Sequence, residues 1–149
     1  MSTDFSDPVR IDPDIRMLLT WDASMDRPGR RQQIGVRGED LAVAELERQG
    51  MVILDRNWRC RLGEIDIIAL DSSTVRPAVV FCEVKCRTGL GFGHPLEAIT
   101  WAKTRRLRQL AAEWIAQCGA TPAAIRLDAI GVVLLPGRPP ELTHVRAVG

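Results

Sequence analysis

The chain has 149 residues, a length that suits one domain with a modest hydrophobic core. Its 20 basic and 19 acidic side chains leave a formal net charge of +1, so overall charge does not mark it as a nucleic-acid-binding protein. No run approaches the ~18 consecutive apolar residues of a membrane span, so we expect no membrane-embedded segment.

The cysteines and the first residues indicate the compartment. Cys60, Cys82, Cys86 and Cys118 form no C-x-x-C pair and have no zinc-site spacing. The first residues are polar and acidic, unlike the basic and apolar regions of a signal peptide. We therefore expect reduced thiols in a cytoplasmic protein.

Residues 1–31 mix Asp, Pro, Arg and Ser around one short apolar patch at residues 15–21. The patch is too short to build a core, so we predict a poorly ordered N-terminal extension. Residues 32–149 then form a single domain.

A first helix is predicted from about Gly35 to Arg48. Its apolar stripe consists of Ala42, Val43 and Leu46. Glu39 lies on the same stripe, so it points toward the core or a cleft. The alternative is a solvated acid in the first helical turn, where the helix dipole favours negative charge.

Strands and a second helix follow along the chain. The strands are predicted at about 51–55, 57–61, 64–70, 78–86 and 125–134, with an edge strand from Leu142 to Val148. The helix is predicted from Pro95 to about Gln117. This order predicts an α/β fold with a mixed central sheet flanked by helices. Asp128 lies within an apolar strand, either as a supporting acid or as the partner of an arginine.

Two predicted strands carry charged residues among apolar neighbours, where such side chains are rare. Asp66 lies in one of them, and Glu83 and Lys85 project from one face of the next. Segment 71–77 is turn-like and short enough for a hairpin, which places Asp66 opposite Glu83. Two carboxylates with Cβ atoms ~4.5–5.5 Å apart repel each other unless a proton or cation lies between them.

An all-oxygen pair suits Mg²⁺ or Mn²⁺ better than zinc. Lys85 would then orient a water molecule or stabilise negative charge beside that ion. Because only two of the 20 basic residues are lysines, Lys85 and Lys103, a lysine in an apolar strand indicates a need for a compact charge. The alternative is a structural ion network formed by the same three side chains.

The loop from Arg87 to His94 is rich in glycine but lacks a phosphate-binding fingerprint. We predict a mobile loop beside the acidic residues, with His94 capping or packing. The second helix carries the densest basic segment, with Lys103 on or near its core face: Lys103, Arg105, Arg106 and Arg108. These cations either contact phosphates or form a solvated surface.

Several motifs together resemble the YraN-like family of bacterial proteins. They are Gly38-Glu39, Asn57-x-Arg59, Gly63-Glu64-Ile65-Asp66-Ile67-Ile68, Glu83-Val84-Lys85-x-Arg87, Gly93-His94-Pro95, Lys103 and Arg126-x-Asp128, spread over residues 34–133. That family is similar to the PD-(D/E)XK nuclease superfamily, which includes Holliday-junction resolvases and restriction endonucleases. The resemblance implies a restriction-endonuclease-like core.

The resemblance also implies roles for individual residues. In that superfamily the acid of the first hairpin strand and the acid of E-x-K bind a divalent metal, and here these are Asp66 and Glu83. The Val84 carbonyl is implied as a further ligand. The catalytic lysine falls on Lys85, and the helix acid falls on Glu39, which would support a second metal or orient water.

The expected function is therefore a Mg²⁺- or Mn²⁺-dependent nuclease that hydrolyses phosphodiester bonds in structured or branched DNA. The expected backbone contacts are Arg59, Arg61, Arg87, Lys103, Arg105, Arg106 and Arg108. With few aromatic residues, recognition by shape is favoured over a broad stacking platform. The alternative is a non-catalytic nucleic-acid-binding module on the same fold, and analogy with resolvases implies a homodimer.

Overall fold

The computed structural model describes residues 30–89, 91 and 93–148. The extension predicted to be poorly ordered, residues 1–31, lies almost wholly outside the residues that the structure describes. The elements are helices α1 (Arg30–Arg48) and α2 (Trp101–Cys118), a 3₁₀ helix (Pro95–Ala98), and strands β1 (Val52–Cys60), β2 (Gly63–Asp71), β3 (Ala78–Arg87), β4 (Ala124–Val133) and β5 (Glu141–Val145).

The five strands form one mixed sheet in the order β1-β2-β3-β4-β5. β3 and β4 are parallel, whereas all other neighbours are antiparallel. The parallel pair needs a crossover connection, and α2 provides it. The predicted α/β class with a mixed sheet flanked by helices is confirmed.

Each face of the sheet is covered by one helix. On one face α2 packs Leu107 and Trp114 against Phe81, whose ring lies edge-on to Trp114 with centroids 5.6 Å apart. On the other face α1 packs Ala42 and Leu46 onto the sheet. The alternation of side chains along each strand divides the core in this way.

Four predicted boundaries were wrong. The first helix begins at Arg30 and not at Gly35. The strands predicted at 51–55 and 57–61 are one strand, β1, with a bulge between Ile53 and Asp55 and a positive φ of 50° at Asn57. The second helix does not begin at Pro95, because Ile99 is extended and the Thr100 side chain caps α2 by accepting a hydrogen bond from the Lys103 amide. The edge strand runs from Glu141 to Val145 and ends before Val148.

None of the described helices is long and apolar enough to cross a membrane. The location in the cytoplasm stays a prediction.

A buried ion network links β2, β4 and β5. The Arg126 guanidinium donates to Asp71 on β2 and, through two nitrogens, to Asp128 on β4, whose side chain is fully buried. His144 Nε2 on β5 lies 2.8 Å from Asp128, and the Ala147 amide also donates to that carboxylate. Of the two alternatives for Asp128, the arginine partner is the one that the structure contains.

Because Arg126 neutralises two buried carboxylates, Arg126→Ala should lower the free energy of unfolding by about 3–5 kcal/mol, the usual cost of breaking a buried ion pair. Urea denaturation measures this cost. Arg59→Ala is the matched control, because Arg59 pairs with Glu64 at an exposed site and should contribute about 0–1 kcal/mol. Equal effects of the two substitutions would contradict the structural role of the network.

Candidate active site

Asp66 lies where β2 and β3 separate. Their ladder runs from Asp71 opposite Ala78 to Ile67 opposite Cys82 and ends there. Asp66 is the next residue, and the Val84 amide donates to its Oδ2 at 2.8 Å. A side-chain carboxylate thus replaces the backbone acceptor, and the register places Asp66 opposite Glu83.

The Asp66 carboxyl group is held in an unfavourable environment for charge. Burial is the largest cause that raises its pKa, and the hydrogen bond from Val84 opposes it. The negative charges of Glu83, Glu39 and Glu64 add to the effect of burial. The result is a pKa raised from 3.8 to about 7.

Glu83 and Lys85 form an ion pair on β3, with Nζ and Oε1 3.3 Å apart. Their side chains keep 23% and 30% of their surface exposed, so both reach solvent from the sheet. Since both residues are two positions apart on one strand, they share a face with Phe81. The charged pair is therefore accessible to a ligand while anchored on a central strand.

Glu39 lies on the buried side of α1 with only 8% of its surface exposed. The Asn57 amide nitrogen donates to its Oε1 at 2.7 Å, and Arg56 Nε lies 3.3 Å from the same atom. The pKa of Glu39 is raised, because the effect of burial exceeds the lowering by Arg56 and Asn57. Because α1 begins at Arg30, Glu39 lies in its third turn, and the expectation of a first-turn position was wrong.

The 3₁₀ helix covers the sheet beside Lys85. Gly131 is the β4 neighbour of Lys85, and a Cβ atom there would lie 3.0 Å from Leu96 Cγ and 3.2 Å from His94 Cε1. This close approach favours glycine at position 131, because any larger residue would have to displace these side chains by a few tenths of an ångström. His94 Nδ1 accepts a hydrogen bond from the Leu96 amide at 3.2 Å, so the prediction that His94 caps or packs is confirmed.

Among the described residues, no three His, Cys, Asp or Glu side chains cluster in a way that could hold a metal ion. The predicted ligand set contains two carboxylates and the Val84 carbonyl, and all of these donors are oxygens. No described donor bonds the second Asp66 oxygen, Oδ1, and Glu83 is partly exposed. The oxygen donors and the mutual repulsion of the acids fit a hard divalent cation.

The predicted phosphate-contacting residues have different environments. Arg59 pairs with Glu64 at 2.9 Å, and Arg106 donates twice to the Leu62 carbonyl, at 2.6 and 3.1 Å. Arg106 therefore holds the β1–β2 turn. Buried Arg87 Nε has no hydrogen-bond partner within the described part of the chain. The other exposed cations of this set are Arg61, Lys103, Arg105 and Arg108.

The expectation that Lys103 lies on or near the core face of its helix was wrong. The buried face of α2 consists of Thr104, Leu107, Leu110, Ala111 and Trp114. The helix begins at Trp101, so the apolar residues before Thr100 do not define its stripe. Lys103 is exposed in the first turn.

Sequence reasoning also missed two features near the site. Asn57 bonds Glu39 and adopts a positive φ, and its type was the available signal, because asparagine is enriched in this conformation. Trp101 is 78% exposed, with Arg105 Cζ 5.9 Å from the ring centroid. Helical spacing was the available signal, because Trp101 and the buried Leu107 lie about 120° apart around the helix.

The fold and the arrangement of acids define a protein with a restriction-endonuclease-like α/β core. Residues 38–132 match the family described as "Uncharacterised protein family UPF0102". A UPF0102 protein of Mycobacterium tuberculosis is 52% identical over 122 residues, covering 80% of this chain and 94% of the relative. A UPF0102 protein of Mycobacterium marinum is 51% identical over 119 residues, covering 80% and 96%. The chain belongs to the UPF0102 family, which is the YraN-like family expected from its motifs.

The raised pKa of Asp66 has a consequence for stability in the absence of metal. Between about pH 4 and pH 7 the folded state retains a proton that the unfolded state releases, so stability falls as the pH rises through this window. Asp66→Asn removes this loss and keeps an amide oxygen as acceptor for Val84. In EDTA the variant should gain up to about 4 kcal/mol over the wild type by pH 8.

Urea unfolding of both proteins from pH 4.5 to pH 8 measures this difference. Glu64→Gln is the control, because Glu64 lies on the same strand but is exposed and paired with Arg59. Its curve should fall almost as steeply as that of the wild type, because Glu64 is the smallest of the three charges that raise the pKa of Asp66. If the curve for Asp66→Asn were also parallel to that of the wild type, the raised pKa of Asp66 would be contradicted.

Proposed function

We propose that this protein is a metal-dependent nuclease that hydrolyses phosphodiester bonds, with structured or branched DNA as its substrate. The observation that carries the proposal is the position of Asp66 at the point where β2 and β3 separate, held by the Val84 amide and next to Glu83. Clustered acids with a strongly shifted pKa are typical of functional sites. Membership of UPF0102 supports the fold, whereas the activity rests on the site.

Asp66, Glu83 and the Val84 carbonyl would hold one Mg²⁺ or Mn²⁺. When bound, such an ion offsets the repulsion between carboxylates and lowers the pKa of a coordinated water molecule. The raised pKa of Asp66 supports this assignment, because a cation removes the electrostatic cost of its ionisation.

Lys85 has the position of a water-orienting and charge-stabilising group. Its ammonium lies 3.3 Å from Glu83 and remains partly exposed, so it can contact a phosphate placed against the acids. There it offsets negative charge that develops on the phosphoryl oxygens. Glu39 would act through solvent, because Arg56 and Asn57 already hold one of its oxygens.

The exposed cations of α2 supply the contacts to the nucleic-acid backbone. Lys103, Arg105 and Arg108 are solvent-exposed, and α2 carries no acidic residue before Glu113. Arg61 extends this surface at the β1–β2 turn, and Arg87 lies closer to the acids at the end of β3. Arg59 and Arg106 contribute less, because both already bind protein acceptors. Association as a homodimer remains part of the proposal by analogy with resolvases.

The second candidate is a non-catalytic nucleic-acid-binding module. The ion pair between Lys85 and Glu83 favours it, because a neutralised Glu83 has less need of a metal ion. In that case nucleic-acid binding is independent of divalent cations, and the acids serve only the structure.

Titration calorimetry with MgCl₂ and MnCl₂ separates the two candidates. The wild type should bind one ion, and Asp66→Ala should lose this binding together with cleavage of branched, single-stranded or duplex DNA. Lys85→Ala should retain the ion but lose cleavage at least about 100-fold, since it removes a group that acts on the transition state. Circular dichroism should be unchanged in both variants.

Lys103→Ala is the matched control for Lys85→Ala, because it removes the other lysine from an exposed position outside the acids. It should raise KM and leave kcat near that of the wild type. Cleavage that survives Asp66→Ala, or a wild type that binds no ion, would contradict the nuclease proposal and favour the binding module.

A further inference from the structure

A shallow apolar groove of about 360 Å³ lies at the start of α2. Leu96 and Ile99 form one side, Trp101 and Thr104 begin the helix, and Ala129 lies at its floor. This volume is within the ~300–1,000 Å³ of small-molecule sites, so the groove can take a flat ring. Neither the acids nor the α1 contacts use it.

The groove is the direct neighbour of the acidic site on one face of the sheet. Ala129 pairs with Glu83 across the parallel ladder between β3 and β4, and Gly131 pairs with Lys85. Paired residues in neighbouring strands point to the same face and lie ~4.8 Å apart. A ligand with a phosphate against Glu83 and Lys85 therefore extends over Ala129 into the groove.

Trp101 gives the groove a stacking surface. The side chain is 78% exposed, whereas Trp58 and Trp114 are buried. Arg105 lies over the ring at 5.9 Å, and because most of the ring stays exposed, the remaining surface is open to a second planar group. An exposed tryptophan next to an arginine suits a nucleobase, because any of the bases can stack on an aromatic ring.

The charges around the groove are complementary to a nucleotide. Lys103, Arg105 and Arg108 follow Trp101 along α2, and no acid lies in the first turn of this helix. The nearest acid in sequence, Glu97, has its carboxylate over Gly93, where a Cβ atom would collide with it. An apolar slot with cations at its border fits a base and its phosphates better than an apolar peptide.

We propose that this groove holds the unpaired nucleobase next to the phosphate that Lys85 contacts beside the acids, with Trp101 as the stacking residue. The inference rests on the proposed function and narrows its substrate to nucleic acids with an unpaired nucleotide, such as a flap or a branch point. A fully paired duplex keeps its bases in the helical stack and leaves the groove empty.

The test uses the full chain with Ca²⁺ in place of Mg²⁺ or Mn²⁺, so that the acids keep a hard cation while cleavage is suppressed. The probe is a fluorescein-labelled DNA flap whose first unpaired nucleotide is either a thymidine or an abasic analogue, and anisotropy gives the two Kd values. The wild type should bind the thymidine flap about 10-fold more tightly, the typical contribution of one stacked base. Trp101→Ala should bind both flaps equally, and Trp101→Phe should restore the preference.

Two controls separate stacking from charge and from general surface changes. Val75→Ala alters another exposed apolar residue, in the β2–β3 turn, and should keep the preference. Trp101→Ala should leave the salt dependence of binding unchanged, whereas Lys103→Ala should reduce its slope by about one phosphate contact.

Equal binding of the two flaps by the wild type would overturn the inference, as would a preference that survives Trp101→Ala. Self-association of the wild type that Trp101→Ala abolishes would also overturn it, because a second copy would then occupy the groove. A manganese cleavage assay keeps the two proposals apart. A base preference without cleavage contradicts only the nuclease, and cleavage without a base preference contradicts only the groove.

Discussion

The hydrogen bond from the Val84 amide to Asp66 Oδ2 joins β2 to β3 beyond the end of their backbone ladder. A carboxylate in this place terminates the pairing without leaving the amide of a central strand unsatisfied. It also fixes a negative group within a mostly apolar sheet and next to Glu83, which raises its pKa to about 7. The strand separation and the position of Asp66 beside Glu83 both follow from this one contact, and the proposed cation would neutralise these two acids.

The two faces of the sheet differ in the accessibility of their charged groups. The α1 face carries the network of Arg126 with Asp71, Asp128 and His144, which joins β2, β4 and β5 and is mostly buried. The α2 face carries Glu83 and Lys85, which remain accessible. Both sets consist of acids with a basic partner. Among the described residues, the pair of Glu83 and Lys85 is the set that lies beside a groove and exposed cations, so this pair suits a ligand.

The sequence was most informative where one local rule determined the geometry. The short 71–77 turn and the alternation of strand side chains were enough to place Asp66 next to Glu83, and helical spacing was enough to bury Glu39. The Arg126 network was harder to predict, because it joins residues from strands far apart in sequence. The start of the second helix at Thr100 was also harder to predict, because the apolar spacing of Leu96 and Ile99 obscured it.

The central claim is that Asp66 and Glu83 form a site for a hard divalent cation. Amide NMR spectra during a titration with substoichiometric Mn²⁺ test it most directly, because the paramagnetic ion broadens only nearby resonances. The Ser73 amide is the internal reference, since it also bonds an aspartate, Asp71, which Arg126 already neutralises. The account predicts that the Val84 signal disappears first and is protected in Asp66→Asn. Equal broadening of Val84 and Ser73, or none at Val84, would contradict it.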